Sequence, residues 1–228
     1  MIKAAFFDID GTLTSFKTHR VPESAERALA ALRASGVATV VSTGRARYQM
    51  IPELLEGFDA YITFNGQLCF DGAGSFRDCS LDAADVRAIT AQSRERGYDL
   101  LVLQRDGSFA SGRGDRLRAN EQEVGLRYVV DDLARALEAP VYQICAFLPR
   151  EEEGQILKVT EHVALTRWTD LFCDVVPSTG GKGVGWRPCS SVWAWARTRR
   201  WPLVTGRTTC RCSGRWAMRS PWATPGIP

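Results

Sequence analysis

Histidine is scarce in this chain, with only His19 and His162 among 228 residues, so no site can be built on clustered imidazoles. No stretch approaches the ~20 consecutive apolar residues that a membrane-spanning helix requires. The opening run, MIKAAFFDID, meets two acids before a signal-peptide core can develop. Both absences point to a cytoplasmic protein without membrane association. Cysteine is present without a pattern, as an odd set of seven at Cys69, Cys79, Cys145, Cys173, Cys189, Cys210 and Cys212. Their spacing is not that of a disulfide framework, and the chain is too long to need one. Cys210 and Cys212 have no histidine nearby and fall short of a zinc site.

The remaining absence is confined to one end. No Asp or Glu follows Asp174, whereas residues 186–228 hold eight arginines, no lysine and six of the seven tryptophans. Those eight positive charges exceed the net +3 of the whole chain, so residues 1–185 carry −5. Composition therefore breaks near Gly185. Taken as native, a basic, Trp-rich tail would suit nucleic acid, through arginine on phosphate and base stacking on indole.

With 45% hydrophobic residues, the chain can bury one large core and a smaller inserted one. Ile2 to Ile9 is a short apolar run that reads as a strand buried on both faces. Glu23 to Ser35, with Ala25, Ala28, Leu29 and Leu32 at helical spacing, is a helix that Gly36 ends. Val37 to Val41 is a second buried strand, Tyr48 to Glu56 a helix containing Pro52, and Ala60 to Phe64 a third strand. This alternation predicts a parallel sheet with ligands beyond the carboxyl ends of the strands, where Asp8, Ser42 and Asn65 fall. A hairpin-like stretch over Gln67 to Phe76 leads to an α+β insert from about Ser80 to Val176. Within it, helices are expected at Leu81 to Arg96, Asp131 to Glu138 and Glu151 to Val159, and strands at Leu100 to Leu103, Val141 to Leu148 and Phe172 to Val176. The expected order is thus a doubly wound α/β core (1–79), an inserted α+β cap (80–176), a return segment (177–185) and the atypical tail (186–228).

Asp8 and Asp10 follow the first strand, and period-2 alternation points both side chains the same way. Two carboxylates so close repel each other and invite a divalent cation; hard oxygens suit magnesium, which bridges readily to phosphate. A carboxylate can also attack phosphorus. The simpler alternative is that both acids cap the following turn through Asx-type bonds. Ser42, Thr43 and Arg45 place hydroxyl and guanidinium donors at the neighbouring strand end, suited to phosphate oxygens, although Ser42-Thr43 would equally serve as a helix N-cap. Lys182 is a lone cation in the glycine-rich run Ser178 to Gly183, which lacks P-loop spacing; a solvated turn lysine is its simpler reading.

Asp8-Ile9-Asp10-Gly11-Thr12 closely resembles the first motif of the haloacid dehalogenase-like hydrolases. Ser42-Thr43-Gly44-Arg45 is similar to their second motif and Lys182-Gly183 to their third. The Asn65-Gly66 turn and the position of the insert resemble the Cof-type subfamily. The resemblance covers residues 1–185. It implies a magnesium-dependent phosphatase of small phosphorylated metabolites, with Asp8 as nucleophile and metal ligand. Asp10 would be the general acid and base, its backbone carbonyl also touching the metal. Gly11, Thr12, Ser42, Thr43, Gly44, Arg45 and Lys182 would bind the phosphoryl group and Asn65 the substrate. A phosphomutase, which hands the same intermediate to another hydroxyl, is the nearest alternative; a phosphoacceptor signalling domain also presents an aspartate beyond a parallel strand, but needs no cap of this size.

The family's fourth motif, an acidic run that completes the magnesium site, has no counterpart after Lys182. A change of reading frame just after Gly185 would explain this. Reading possible codons from each third base makes Leu203 to Thr209 compatible with G-D-G-x-N-D, and the Trp-Ala pairs at 216 and 222 then force glycine. Such a tail is expected to end the sheet early and leave one flank of the first strand bare.

Overall fold

The computed structural model describes residues 4–15, 18, 20–167 and 169–179, together with the backbone of Leu203–Thr205. Ala4–Phe7 (β1), Ala38–Ser42 (β2) and Ala60–Thr63 (β3) are parallel neighbours. Leu68–Asp71 (β4) and Gly74–Asp78 (β5) continue this sheet as an antiparallel hairpin. Both faces of the parallel strands are buried, as their unbroken apolar runs require. Phe6, Val40 and Ile62 belong to one cluster, whereas Val41 and Tyr61 belong to another that takes in Leu29 of the helix Glu23–Ala34 (α1).

Two expectations in this region are corrected. The stretch Tyr48 to Glu56 is not one helix but two short 3-10 turns, Arg47–Gln49 and Pro52–Leu54. Pro52 cannot donate a backbone hydrogen bond and favours extended backbone at Ile51, whose ψ is 151°. The flank of β1 is not bare either: Leu203–Thr205 (β11) pairs with it in parallel, Ala4 opposite Leu203 and Phe6 opposite Thr205. An extended backbone suffices for such pairing.

The insert forms a second sheet. Its strands are Asp99–Gln104 (β6), Ser108–Ala110 (β7), Val141–Phe147 (β8), Val163–Thr166 (β9) and Cys173–Pro177 (β10), arranged β7-β6-β8-β10-β9 and all antiparallel. One face packs against Ala83–Arg96 (α2), where Val86 and Ile89 meet Leu100, Val102, Ile144 and Val175. The Asp82 side chain caps α2 by accepting from the Ala84 amide at 2.7 Å, and Asp85, buried, accepts from the amides of Glu161 and His162. The strands β7 and β9 and the helix Asp115–Val124 (α3) were not anticipated. The segments expected as helices near 131–138 and 151–159 are 3-10 throughout, at Leu133–Leu137 and Arg150–Lys158.

The opposite face of this sheet meets the first one. Leu101, Leu103, Ala110, Cys145 and Phe147 share a buried cluster with Ala46, Phe64 and Leu68. Phe64 stacks on Tyr142, ring centroids 4.9 Å apart, and the Tyr142 hydroxyl donates to Asp78 Oδ1 at 2.7 Å while Arg105 pairs with the same carboxylate. Among the described residues no helix is long and apolar enough to cross a membrane.

Burial pushes all five tyrosine hydroxyls (Tyr48, Tyr61, Tyr98, Tyr128 and Tyr142) above their ordinary value, that of Tyr128 to about 12. The folded chain therefore holds protons that the unfolded chain releases near pH 10. Stability is complete below about pH 10 and falls as pH rises toward 12. Tyrosinate absorbance at 295 nm should appear together with the loss of far-UV ellipticity; smooth ionisation near pH 10 in a folded chain would contradict this.

Candidate active site

β1 ends at Phe7, and the chain from Asp8 to Thr14 winds into a tight turn around the Ile9 carbonyl. That carbonyl accepts from the amides of Thr12, Leu13 and Thr14 at 3.3, 3.1 and 2.9 Å, and from the Thr14 hydroxyl at 3.0 Å. Gly11, at φ +72°, occupies the left-handed region that the turn demands. Ile9 and Leu13 drop into the core, while Gly11 and Thr12 stay exposed. The alternation expected for Asp8 and Asp10 consequently does not hold, because the backbone between them is a turn and not a strand. Asp8 is half-buried, and its Oδ1 accepts from the Ile9 amide at 2.9 Å; Asp10 is exposed.

Asp10 is met by Arg45. The guanidinium Nε donates to Asp10 Oδ2 at 2.9 Å and the Nη2 to Oδ1 at 2.7 Å, a two-pronged fork, while Nη1 donates to the Gln49 carbonyl at 3.0 Å. Gln49 in turn fixes the loop, its Oε1 accepting from the Ala46 amide at 2.8 Å. Further bonds tie this loop to the end of β3. The Thr43 amide donates to the Ile62 carbonyl, the Thr43 carbonyl accepts from the Asn65 amide at 3.0 Å, and the Arg45 carbonyl accepts from the Phe64 amide. Thr43 Oγ1 accepts from the Arg45 amide at 3.1 Å.

Asn65 lies over Gly44, with its side-chain oxygen 3.1 Å from where a Cβ on that glycine would stand, so Gly44 is what lets the amide come so near. Phe64 (φ 49°) and Asn65 (φ 57°) both occupy left-handed backbone. For asparagine this is ordinary, but for a bulky ring it costs about 1–2 kcal/mol. The complete burial of Phe64 and its stack on Tyr142 offset that strain.

The structure thus joins Asp10, Thr43, Gly44, Arg45 and Asn65 by direct contact. Asp8, Gly11 and Thr12 share the adjoining turn, and Ser42, half-buried, ends β2 opposite Ile62. Lys182 lies outside the described residues. Sequence reading missed Gln49, which orders the Arg45 loop, and Gln67, a fully buried amide with neither side-chain polar atom partnered. Gln67 directly follows the Asn65-Gly66 turn, the one signal available for it.

Magnesium suits the donor set in kind, since the Asp8 carboxylate and the Asp10 carbonyl are hard oxygens. The Asp10 carboxylate is engaged by Arg45, and among the described residues no group of three or more His, Cys, Asp or Glu is arranged to hold a metal.

A sequence model of the haloacid dehalogenase-like hydrolases matches residues 5–197. The chain belongs to that family. Its similarity extends to a phosphatase of the same superfamily from Bacteroides thetaiotaomicron, at TM-score 0.76 and 27% identity over 89% of this chain and 74% of that one. A sugar phosphatase of the superfamily's subclass IIB superposes at TM-score 0.70 with 27% identity, covering 86% of this chain and 76% of the other. A Streptococcus pyogenes relative, named a candidate bifunctional phosphatase and peptidyl-prolyl cis-trans isomerase, is 29% identical over 195 residues; the match spans 81% of this chain but 40% of the relative's length. The mixed α/β fold of this haloacid dehalogenase-like hydrolase, with its parallel-rich first sheet, matches that of these neighbours.

The Arg45 and Asp10 side chains are 39% and 42% exposed, so their pair contributes little to stability. Arg45→Lys keeps the charge and loses the fork. Its unfolding free energy by urea titration is expected within about 1 kcal/mol of the parent. A larger loss would mean that the pair holds the two loops against strain.

Proposed function

We propose that this hydrolase releases phosphate from phosphomonoesters of small metabolites, with Asp8 as nucleophile and Asp10 as proton carrier. The observation that carries this is the pairing of the two strand ends: a half-buried carboxylate at the end of β1, with a second carboxylate held by Arg45 from the end of β2. An Asp8 oxygen attacks phosphorus as the bond from phosphorus to the leaving alcohol oxygen breaks, and Asp10 gives that oxygen its proton. Water then attacks the aspartyl-phosphate with Asp10 taking its proton, the bond from phosphorus to Asp8 breaks, and phosphate departs.

Arg45 bears on both halves. A carboxylate accepting from both prongs of a guanidinium is in its acceptor form, suited to receive a proton from water. The acid half requires the pair to loosen, and a phosphoryl dianion competing for the guanidinium supplies the reason. Ser42, Thr43, Gly44 and the backbone at Gly11 and Thr12 would meet the phosphoryl oxygens, with Asn65 toward the leaving group and Lys182 as a further cation. Magnesium would be held by Asp8 and the Asp10 carbonyl and would neutralise charge on the phosphoryl group. The insert acts as a cap, its sheet covering the loops that carry Arg45 and Asn65. The cytoplasm is the expected compartment.

Residues 186–228 fit this reading as a segment translated out of frame, and resequencing the coding DNA over codons 180–228 would find or exclude the extra or missing base. Either way, the activity test is magnesium-dependent phosphate release from 4-nitrophenyl phosphate. Asp8→Asn is expected to abolish it, Asp10→Asn to lower kcat by about 10²–10⁴-fold, and Arg45→Lys to lower kcat more than it changes stability. Equal rates for Asp8→Asn and its parent would end the nucleophile assignment.

A further inference from the structure

The turn that carries Asn65 is held from outside by one charged side chain, Arg77. Thr63 and Leu68 are the innermost pair of β3 and β4, so residues 64–67 connect the two strands and lie outside their ladder. Phe64, Asn65 and Gly66 all have positive φ, at 49°, 57° and 94°. Main-chain groups in a connection wound this way need donors from elsewhere. The Phe64 carbonyl accepts from the Gln67 amide at 3.2 Å, but the Gly66 carbonyl is met by side chains: Arg77 Nε donates to it at 2.7 Å and the Cys69 thiol at 3.6 Å.

Arg77 stands in β5 opposite Cys69 and is half-buried. Its second bond runs from Nη2 to the Thr179 carbonyl at 3.4 Å. Thr179 lies two residues beyond β10, where the chain has returned from the second sheet, and its hydroxyl is 3.2 Å from the thiol of Cys79 on the outgoing crossing. The Cys79 amide completes the ring by donating to the Gln67 carbonyl at 2.9 Å. Both hydrogen bonds that Arg77 makes among the described residues end on main-chain carbonyls, so its planar set of donors sets the course of the backbone. What that course controls is the Asn65 amide. Its oxygen and nitrogen stand 3.1 and 3.2 Å from where a Cβ on Gly44 would be, which leaves no slack for a turn that drifts. The Phe64 ring, stacked on Tyr142, anchors the turn before Asn65; Arg77 anchors it after.

We propose that Arg77 is a positioning residue: by holding the Gly66 carbonyl it fixes where the Asn65 amide stands over Gly44, and through Thr179 it ties that amide to the return crossing. It acts on the reaction through Asn65 and not by meeting the phosphoryl group. This rests on the reading above in which Asn65 faces the leaving group.

The test is a double-mutant cycle of Arg77→Met with Asn65→Ala, read in two ways. The first is the side-chain amide signal of Asn65 in a nitrogen–proton correlation spectrum, identified by its loss in Asn65→Ala. Arg77→Met is expected to shift this signal toward that of a free asparagine amide. Arg77→Lys, which can still donate to Gly66 but cannot span both carbonyls, should restore most of its position. The second is kcat/KM for 4-nitrophenyl phosphate with magnesium. Arg77→Met is expected to lower it about 10-fold in the parent and to leave it unchanged in Asn65→Ala protein. An Asn65 signal indifferent to Arg77→Met, or an equal loss of kcat/KM with and without Asn65, overturns the assignment and leaves Arg77 a purely structural role. Should Arg77→Met fail to fold, Arg77→Lys runs through the same cycle under the same criteria, with smaller expected changes. A parent that releases no phosphate overturns the phosphomonoester reading instead, and the Asn65 signal then still decides whether Arg77 positions that amide.

Discussion

Asp10 is exposed and stands in a turn that no helix or strand continues. A side chain so placed would sample several rotamers, and the proton carrier proposed here must be within hydrogen-bond reach of one oxygen at the right moment. The Arg45 fork removes that freedom by presenting two donors in a fixed plane. Arg45 is held in turn by Gln49, and its backbone by Thr43 and Phe64. The order of the site therefore runs from the two parallel strands through a hydrogen-bonded loop to a single carboxylate. In stability the pair is worth little; its effect is on position.

The second sheet depends on the same loops. Phe64 is driven into left-handed backbone next to Asn65, and what compensates is burial under Tyr142. The asparagine nearest Gly44 is thus oriented by a stack between the two sheets. The Tyr142 hydroxyl and Arg105 meet Asp78, the last residue of β5, immediately before the chain crosses to the second sheet. Any displacement of the second sheet must break this aromatic stack and these polar contacts together.

Much of this was legible in the sequence where a physical signal was strong. β1, β2 and β3 showed themselves as apolar runs, α1 by periodicity and the glycine that ends it, and the residues at the strand ends by the turn chemistry that follows. The misses have causes. Tyr48 to Glu56 has helical spacing, but Pro52 divides it. α3, DRLRANEQEV, buries only Leu117 and Asn120, too few to make a stripe. The 3-10 segments have caps and acids like helices and differ only in how the backbone is wound. Arg45 was read by charge type as a phosphate ligand, and no one-dimensional pattern connects it to a carboxylate 35 residues away.

The tail separates two properties that usually travel together. Pairing along a parallel edge is a matter of backbone donors and acceptors, so Leu203–Thr205 can sit beside β1 without specifying any chemistry. A metal ligand is a matter of one side chain at one place. After Asp174 the chain has no carboxylate to offer, and in a haloacid dehalogenase-like hydrolase that stretch is where the acidic fourth motif is expected. Shortage of hard oxygen donors weakens hold on a cation that dehydrates reluctantly, whereas the buried cluster residues described on the two faces of β1 to β3 lie within residues 4–69. The described core of this chain is therefore built from residues other than those that would hold a metal, so fold and metal binding can vary independently.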